Sequence, residues 1–350
     1  MNLNIWQILV LALLQGVTEL FPISSLGHTV IVPGLLPHLF PPNFATNTSC
    51  GGQSCFLPLI VALHLGTSIA LVAYFWRDWL QVILAIFQTM KNAEIRKDSE
   101  EWVSWLIVIG CIPGALLGVA LQGPLTKLFS SAIIAAAFLV VNGAVLFLGE
   151  TLRRRTERRA ASSSTSGQGG QMASRQWADF PTAKTEALGH SPRPWEPFPG
   201  DVSVLTVPSS EHSPHLQTKT ARSLASLSWK EALLVGLAQS FALLPGISRS
   251  GATMVAGLGV GLSHEDAARY SFLLGTPLIG GAALIEVPQL FGLPVATLGL
   301  VLIGMGVAGV AAFLSTKFLL KYFETGRLYP FAYYCWGAGL FSLMLFLIIR

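Results

Sequence analysis

Two segments far apart in the chain repeat one pattern, and each sets charged or hydroxyl side chains into an otherwise apolar run. The first reads Gln15-Gly16-Val17-Thr18-Glu19-Leu20-Phe21-Pro22-Ile23-Ser24-Ser25-Leu26-Gly27-His28. The second reads Gln239-Ser240-Phe241-Ala242-Leu243-Leu244-Pro245-Gly246-Ile247-Ser248-Arg249-Ser250-Gly251-Ala252-Thr253. Each follows a Trp-led apolar helix, from Trp6 and from Trp229, and then reaches a Gln, a Pro and an Ile-Ser pair. Inside a bilayer a central Arg or Asp costs roughly 2.5–3.5 kcal/mol on insertion scales. A chain carries that cost where the groups pair or bind something. The two segments are therefore the default functional site.

The bilayer itself is implied by the rest of the chain. Of 350 residues 52% are hydrophobic and only 11% charged, and the mean hydropathy of +0.59 is far above that of a soluble globular chain. Several apolar runs reach about 20 residues, the length of a membrane-crossing helix. The expected fold class is an all-α polytopic membrane protein. No charged segment precedes the first apolar stretch and no small-residue cleavage site follows it, so residues 3–21 read as mature fold rather than signal peptide. The net charge of +4 reflects basic loops and not nucleic-acid binding. Cys111 and Cys335 lie in apolar runs as packing residues. Cys50 and Cys55 flank a short polar loop, where a disulfide requires an oxidising compartment.

Along the chain, residues 3–36 predict a re-entrant helix hairpin broken at Pro22, followed by spans at about 57–76, 102–122 and 131–150, with an amphipathic helix and charged loop over 80–101. Residues 153–228 open on Arg153-Arg154-Arg155, pass through a Ser/Gly tract and stay polar, the composition of a disordered cytoplasmic linker. Residues 229–262 repeat the hairpin, and spans follow at about 267–286, 295–319 and 328–349. The domains are then a first repeat at 1–152, the linker, and a second repeat at 229–350. An odd number of spans per half inverts the second half relative to the first, an arrangement that puts sites near the midplane on broken helices. The loops at 77–101, 151–228 and 317–327 carry most of the Lys and Arg, whereas those at 37–56, 122–130 and 287–294 hold only Lys127. The first group should face the cytoplasm.

Gln15 and Glu19 are four residues apart and share a helix face. Ser24 and Ser25 follow the first break and Ser248, Arg249 and Ser250 the second, each at a helix N-terminus, with His28 and Thr253 in the first turns. Free backbone amides, a positive dipole end and a guanidinium suit phosphate. Glu19 would repel phosphate unless a divalent cation lies between them. His28 can act as general base or acid, and a serine hydroxyl as nucleophile. Glu19 and Arg249 could instead pair as a structural link between the halves. His64 reads as a packed side chain.

At these residues the chain resembles the undecaprenyl-diphosphate phosphatases, the integral-membrane enzymes also known for bacitracin resistance. Gln15 and Glu19 match their Glu/Gln-x-x-x-Glu pattern, and Pro245 to Thr253 match Pro-Gly-x-Ser-Arg-Ser-x-x-Thr. Gln15 stands where some members have Glu, and Leu26 where some carry a hydroxyl. The resemblance implies hydrolysis of undecaprenyl diphosphate to undecaprenyl phosphate and phosphate, recycling the lipid carrier of the cell wall. It implies Glu19, Ser25, His28 and Arg249 as catalytic residues. Ser24, Ser248, Arg249, Ser250 and Thr253 would meet the substrate, and Glu19 with Gln15 would hold Mg²⁺ or Ca²⁺. It implies a multi-pass protein of the bacterial cytoplasmic (inner) membrane, with membrane lipid around it and its site opening to the periplasmic face. A homodimer is left open. The alternative is a transporter that flips polyprenyl phosphate through the same midplane site.

Overall fold

The computed structural model describes residues 4–40, 49–50, 53–54, 56–92, 100–129, 131–172 and 222–349. The helices run α1 (Ile5–Thr18), α2 (Ser25–Leu35), α3 (Phe56–Tyr74), α4 (Trp76–Asn92), α5 (Glu100–Phe129) and α6 (Ala132–Met172), then α7 (Trp229–Gln239), α8 (Arg249–Gly259), α9 (His264–Glu286), α10 (Val295–Phe323) and α11 (Tyr329–Ile349). The described residues also hold an antiparallel ladder of Ser49–Cys50 with Gln53–Ser54 and an isolated parallel bridge between Arg222 and Leu262. Cys55 lies outside the described residues, and the disulfide with it.

Among the described residues five stretches are long and apolar enough to cross a membrane: Glu101–Leu121, Ala132–Arg159, His264–Gly292, Val295–Phe323 and Tyr329–Ile348. The protein is thus a multi-pass helical membrane protein. The span expected at 57–76 falls on α3, which is apolar and long enough only together with α4, and the chain bends by 82° between the two, as in a broken span or a re-entrant loop. The expected amphipathic helix therefore starts earlier and is a continuation of α3. It buries Val82, Ala85 and Thr89 and exposes Leu80, Leu84, Phe87 and Met90. A helix at a right angle to a crossing one, with one apolar face uncovered, suits the membrane surface plane.

The two broken segments are short helices, as their sequences require. α1, at 14 residues, reaches only about 21 Å against the roughly 30 Å of a hydrocarbon core. Both first helices start on a capping box. Trp6 N donates to Asn4 Oδ1 at 3.1 Å while Asn4 N donates to Gln7 Oε1 at 3.0 Å. Glu231 N donates to Ser228 Oγ at 3.3 Å while Ser228 N donates to Glu231 Oε2 at 2.7 Å. Each of these helices packs on a long helix of the other half, α1 on α10 and α7 on α5.

The contacts are close because glycine sits in each seam. A Cβ on Gly16 would lie 2.4 Å from Ala308 O, and one on Gly236 would lie 2.1 Å from Gly110 O. α3 meets α10 the same way, at Gly66 and Met305 O, 2.2 Å from the missing Cβ.

The linker is shorter than its composition suggests. α6 continues to Met172, because Arg and Ala residues extend a helix that is already nucleated. At the far end Arg222 N donates to Gly261 O at 3.1 Å, and the Arg222 guanidinium donates to Glu231 Oε1 at 2.5 Å. That guanidinium holds the Glu231 carboxyl at about 2. The pair adds stability above the unfolded carboxylate value of about 4.3; the gain is lost as pH falls toward about 2. Residues Thr156–Thr220 form a unit of their own, and the expected disorder at 173–221 lies outside the described residues.

The seams make a prediction. Gly236→Leu should lower the unfolding temperature of the detergent-purified protein, since overpacking costs typically about 1–3 kcal/mol. Gly259→Ala, where an added Cβ meets nothing within 4 Å, should leave it unchanged.

Candidate active site

The first break begins where α1 ends at Thr18 and Glu19 caps it. Pro22 forbids continuation, and Ser24 turns the chain back with φ 69°, the only positive φ outside glycine among the described residues. Its hydroxyl accepts from Gly27 N at 3.3 Å and so starts α2. In the second break Gly246 takes φ +104°, which a side chain rarely adopts. A Cβ there would also strike Ala135 O at 2.3 Å. Ser248 caps α8, accepting from Gly251 N at 3.1 Å.

The two breaks are joined to each other. Asn142, fully buried on α6, donates from Nδ2 to Pro22 O at 2.9 Å and accepts at Oδ1 from Ser248 N at 3.0 Å. Ser250 Oγ donates to Phe21 O at 3.2 Å and lies 3.0 Å from Ser248 Oγ. Thr253 Oγ1 bonds Arg249 O at 2.8 Å and meets Ser271 Oγ at 2.5 Å. These three hydroxyls bond within and between the breaks.

Glu19 is the centre of what the breaks enclose. Its carboxylate is buried, and Oε2 accepts from Ser25 Oγ at 2.5 Å and from Gln15 Nε2 at 2.9 Å. Oε1 faces Arg249 Nη2 at 3.3 Å. His64 Nε2 lies 3.6 Å from Oε2. The guanidinium also donates from Nη1 to Ser271 O at 3.2 Å, and it occupies the place a side chain at 275 would take. A Cβ on Gly275 would lie 1.8 Å from Arg249 Nη1.

Two buried polar atoms of this cluster have no hydrogen-bond partner among the described residues, Gln15 Oε1 and Arg249 Nε. One is an acceptor and the other a donor. Among the described residues no three His, Cys, Asp or Glu side chains gather into a metal cage. Glu19 with Gln15 Oε1 is an oxygen donor pair. It fits a hard cation that takes its remaining ligands from phosphate and water.

The sequence matches the family of bacitracin resistance protein BacA over residues 8–172 and 203–341. The chain belongs to the BacA family. An undecaprenyl-diphosphatase 2 of Frankia alni is 42% identical over 94% of this chain and 94% of its own. An undecaprenyl-diphosphatase of Mycolicibacterium paratuberculosis is 39% identical over 98% and 97%. An undecaprenyl-diphosphatase 1 of Burkholderia pseudomallei is 36% identical over 97% and 96%.

Within this BacA-family chain the structure brings Gln15, Glu19, Ser25 and Arg249 into one contiguous cluster. His28 stands apart from it. Its Nδ1 is 2.7 Å from Ser24 O and its Nε2 2.9 Å from Tyr334 OH, so neither ring nitrogen reaches Ser25. His64, read as packing from sequence, faces Glu19 instead. The sequence around it shares Leu-Gly-Thr with Leu274-Gly275-Thr276 of the second half, a parallel that does not include the His itself. Asn142 gave no signal, because one Asn in an apolar helix does not disclose what crosses it.

Asn142→Leu should leave Ser248 N without its partner and Pro22 O with only the weak Cys335 Sγ contact at 3.9 Å, an unmade buried hydrogen bond costing about 1–3 kcal/mol. The expected result is a lowered unfolding temperature in detergent. An unchanged temperature would show that the bridge does not hold the breaks together.

Proposed function

We propose that the protein hydrolyses undecaprenyl diphosphate to undecaprenyl phosphate and phosphate. The observation that carries this is the pair of unpartnered buried atoms around Glu19: an acceptor, Gln15 Oε1, and a donor, Arg249 Nε. A lone anion site would need the donor only. A diphosphate with its counter-cation needs both. The names of the relatives supply the prenyl diphosphate as the substrate class.

In this mechanism the Arg249 guanidinium binds the diphosphate, since its planar donors match phosphate oxygens. Ser25 Oγ attacks the terminal phosphorus while its proton passes to Glu19 Oε2, 2.5 Å away. The bond from that phosphorus to the bridging oxygen breaks, and undecaprenyl phosphate leaves. Water then attacks the phosphoserine, restoring the Ser25 hydroxyl and releasing phosphate. A Mg²⁺ or Ca²⁺ ion held by Glu19 and Gln15 would neutralise charge on the phosphoryl oxygens. His28 holds the first turn of α2 through Ser24 O, which keeps Ser25 in register.

The two halves are an inverted repeat with re-entrant hairpins. The matching capping boxes and the reciprocal packing of α1 on α10 and α7 on α5 support that reading. The basic loops face the cytoplasm of an inner-membrane protein, and the site opens to the periplasm. There, removing the outer phosphate recycles the cell-wall carrier and deprives bacitracin of its diphosphate target.

The test is phosphate release from undecaprenyl diphosphate by the purified protein in detergent, with Mg²⁺ and after chelation. Release that requires the metal is expected. Arg249→Ala should lower turnover by about 10²–10³-fold or more; it should also lower the unfolding temperature, because Glu19 stays buried without its cation, so activity is compared well below that temperature. Gly275→Val, which pushes the guanidinium aside, should do the same. A folded wild type that releases no phosphate would sink the hydrolase and favour lipid-phosphate transport.

A further inference from the structure

We propose that Tyr334 is a positioning residue for Ser25, acting through the His28 ring, an inference that rests on the hydrolytic reading above. The hydrogen on that ring follows from its partners. His28 Nδ1 lies 2.7 Å from Ser24 O. A carbonyl only accepts, so Nδ1 carries a hydrogen. The neutral ring then offers Nε2 as an acceptor, and the Tyr334 hydroxyl, 2.9 Å away, donates to it. The two rings lie nearly parallel, at 15°, with centroids 5.7 Å apart. A line of hydrogen bonds thus runs from Tyr334 through His28 to the carbonyl that precedes the nucleophile.

That carbonyl belongs to the residue that most needs holding. Ser24 sits at φ 69°, a conformation that persists only where the surroundings over-determine it. Its O accepts from His28 N at 3.3 Å, a long contact, and from His28 Nδ1 at 2.7 Å. The side chain is therefore the closer hold on the peptide joining Ser24 to Ser25, and a ring that turned would release it. Ser25 follows that peptide directly, so its 2.5 Å contact with Glu19 Oε2 depends on the peptide staying in place. Tyr334 stops the ring from turning, and it comes from a helix fixed elsewhere. Gly143 and Gly339 let α6 and α11 close together: a Cβ on the first would lie 2.9 Å from Ala332 O, and one on the second 3.1 Å from Ala136 O. The next residue, Cys335, is buried with its Sγ 3.3 Å from Asn142 Nδ2. α11 is thus held to the same bridge that joins the two breaks.

The test is steady-state phosphate release by Tyr334→Phe, with its unfolding temperature, and the ¹⁵N spectrum of the histidine-labelled protein at the pH of the assay. Phenylalanine keeps a ring against His28 and removes only the donor, at a residue that is exposed, so the variant should fold. Its kcat should fall about three- to tenfold, the range for losing a neutral hydrogen bond. KM should stay nearly constant, because Tyr334 touches His28 and not the diphosphate. In the wild type the His28 signal, assigned by its loss in His28→Asn, should show hydrogen on Nδ1 and a bare, hydrogen-bonded Nε2. In Tyr334→Phe the Nε2 resonance should move to that of a nitrogen without a donor. Hydrogen on Nε2 in the wild type would overturn the proposal without recourse to any Tyr334 variant. So would wild-type kcat in Tyr334→Phe, or a raised KM at constant kcat. A folded wild type that releases no phosphate overturns the hydrolytic reading and this inference together, whereas an active wild type indifferent to the Tyr334 hydroxyl overturns this inference alone.

Discussion

A buried carboxylate between two halves of an apolar protein is the constraint around which this structure is arranged. Burying an ion costs several kcal/mol even after relaxation, and Glu19 has little water to offset it. Its compensation comes from Arg249, at 3.3 Å, and from the Ser25 and Gln15 donors. Arg249 is in the other half of the chain, so the end of α1 and the start of α8 must meet. Pairs of this kind are weak evidence for stability, since an apolar replacement of the same shape is often as stable. Here the partnering is also incomplete, with Gln15 Oε1 and Arg249 Nε left over. A purely structural pair has no use for spare donors and acceptors around it; a site that receives a charged ligand does.

The meeting of the two breaks determines much of the packing around them. Backbone that leaves helical geometry inside a bilayer must be satisfied by protein. Pro22 O and Ser248 N are both served by Asn142, and Phe21 O by Ser250. Short helices cannot cross the membrane alone and need a long neighbour at close range. That is why Gly16 and Gly236 lie against backbone carbonyls of α10 and α5. Gly275 answers a different need, leaving room for the guanidinium rather than for a helix.

Much of this was legible in the sequence. The two pairs of short helices broken at Pro22 and Gly246, most of the long apolar helices, and the meeting of Gln15, Glu19, Ser25 and Arg249 follow from apolar length, from the breaks, and from the expense of charge in an apolar run. Three things were not. The linker's composition hid that α6 runs on to Met172, since disorder is judged from polarity while a helix already nucleated extends cheaply. His28 lies near Ser25 in sequence, yet helix geometry sends its ring to Tyr334 on α11. His64 was discounted because an imidazole in an apolar helix is usually packing, and the carboxylate it faces is on another helix. Partners across helices leave no spacing to read.

That difference bears on how the chemistry is divided. A residue within a hairpin moves with the hairpin, so Ser25 and His28 share the fate of Ser24, whose φ of 69° stores strain at the turn. Glu19 is held from several directions at once: by Gln15 on its own helix, by Ser25 across the break and by Arg249 from the second half. A carboxylate so over-determined cannot swing to a new rotamer when a charged ligand arrives, and its Oε2 keeps facing the serine. The ligand must instead compete for Arg249, whose spare Nε is the first donor free to take it. In the proposed mechanism, binding draws the guanidinium off Glu19 Oε1 while Oε2 stays engaged with Ser25.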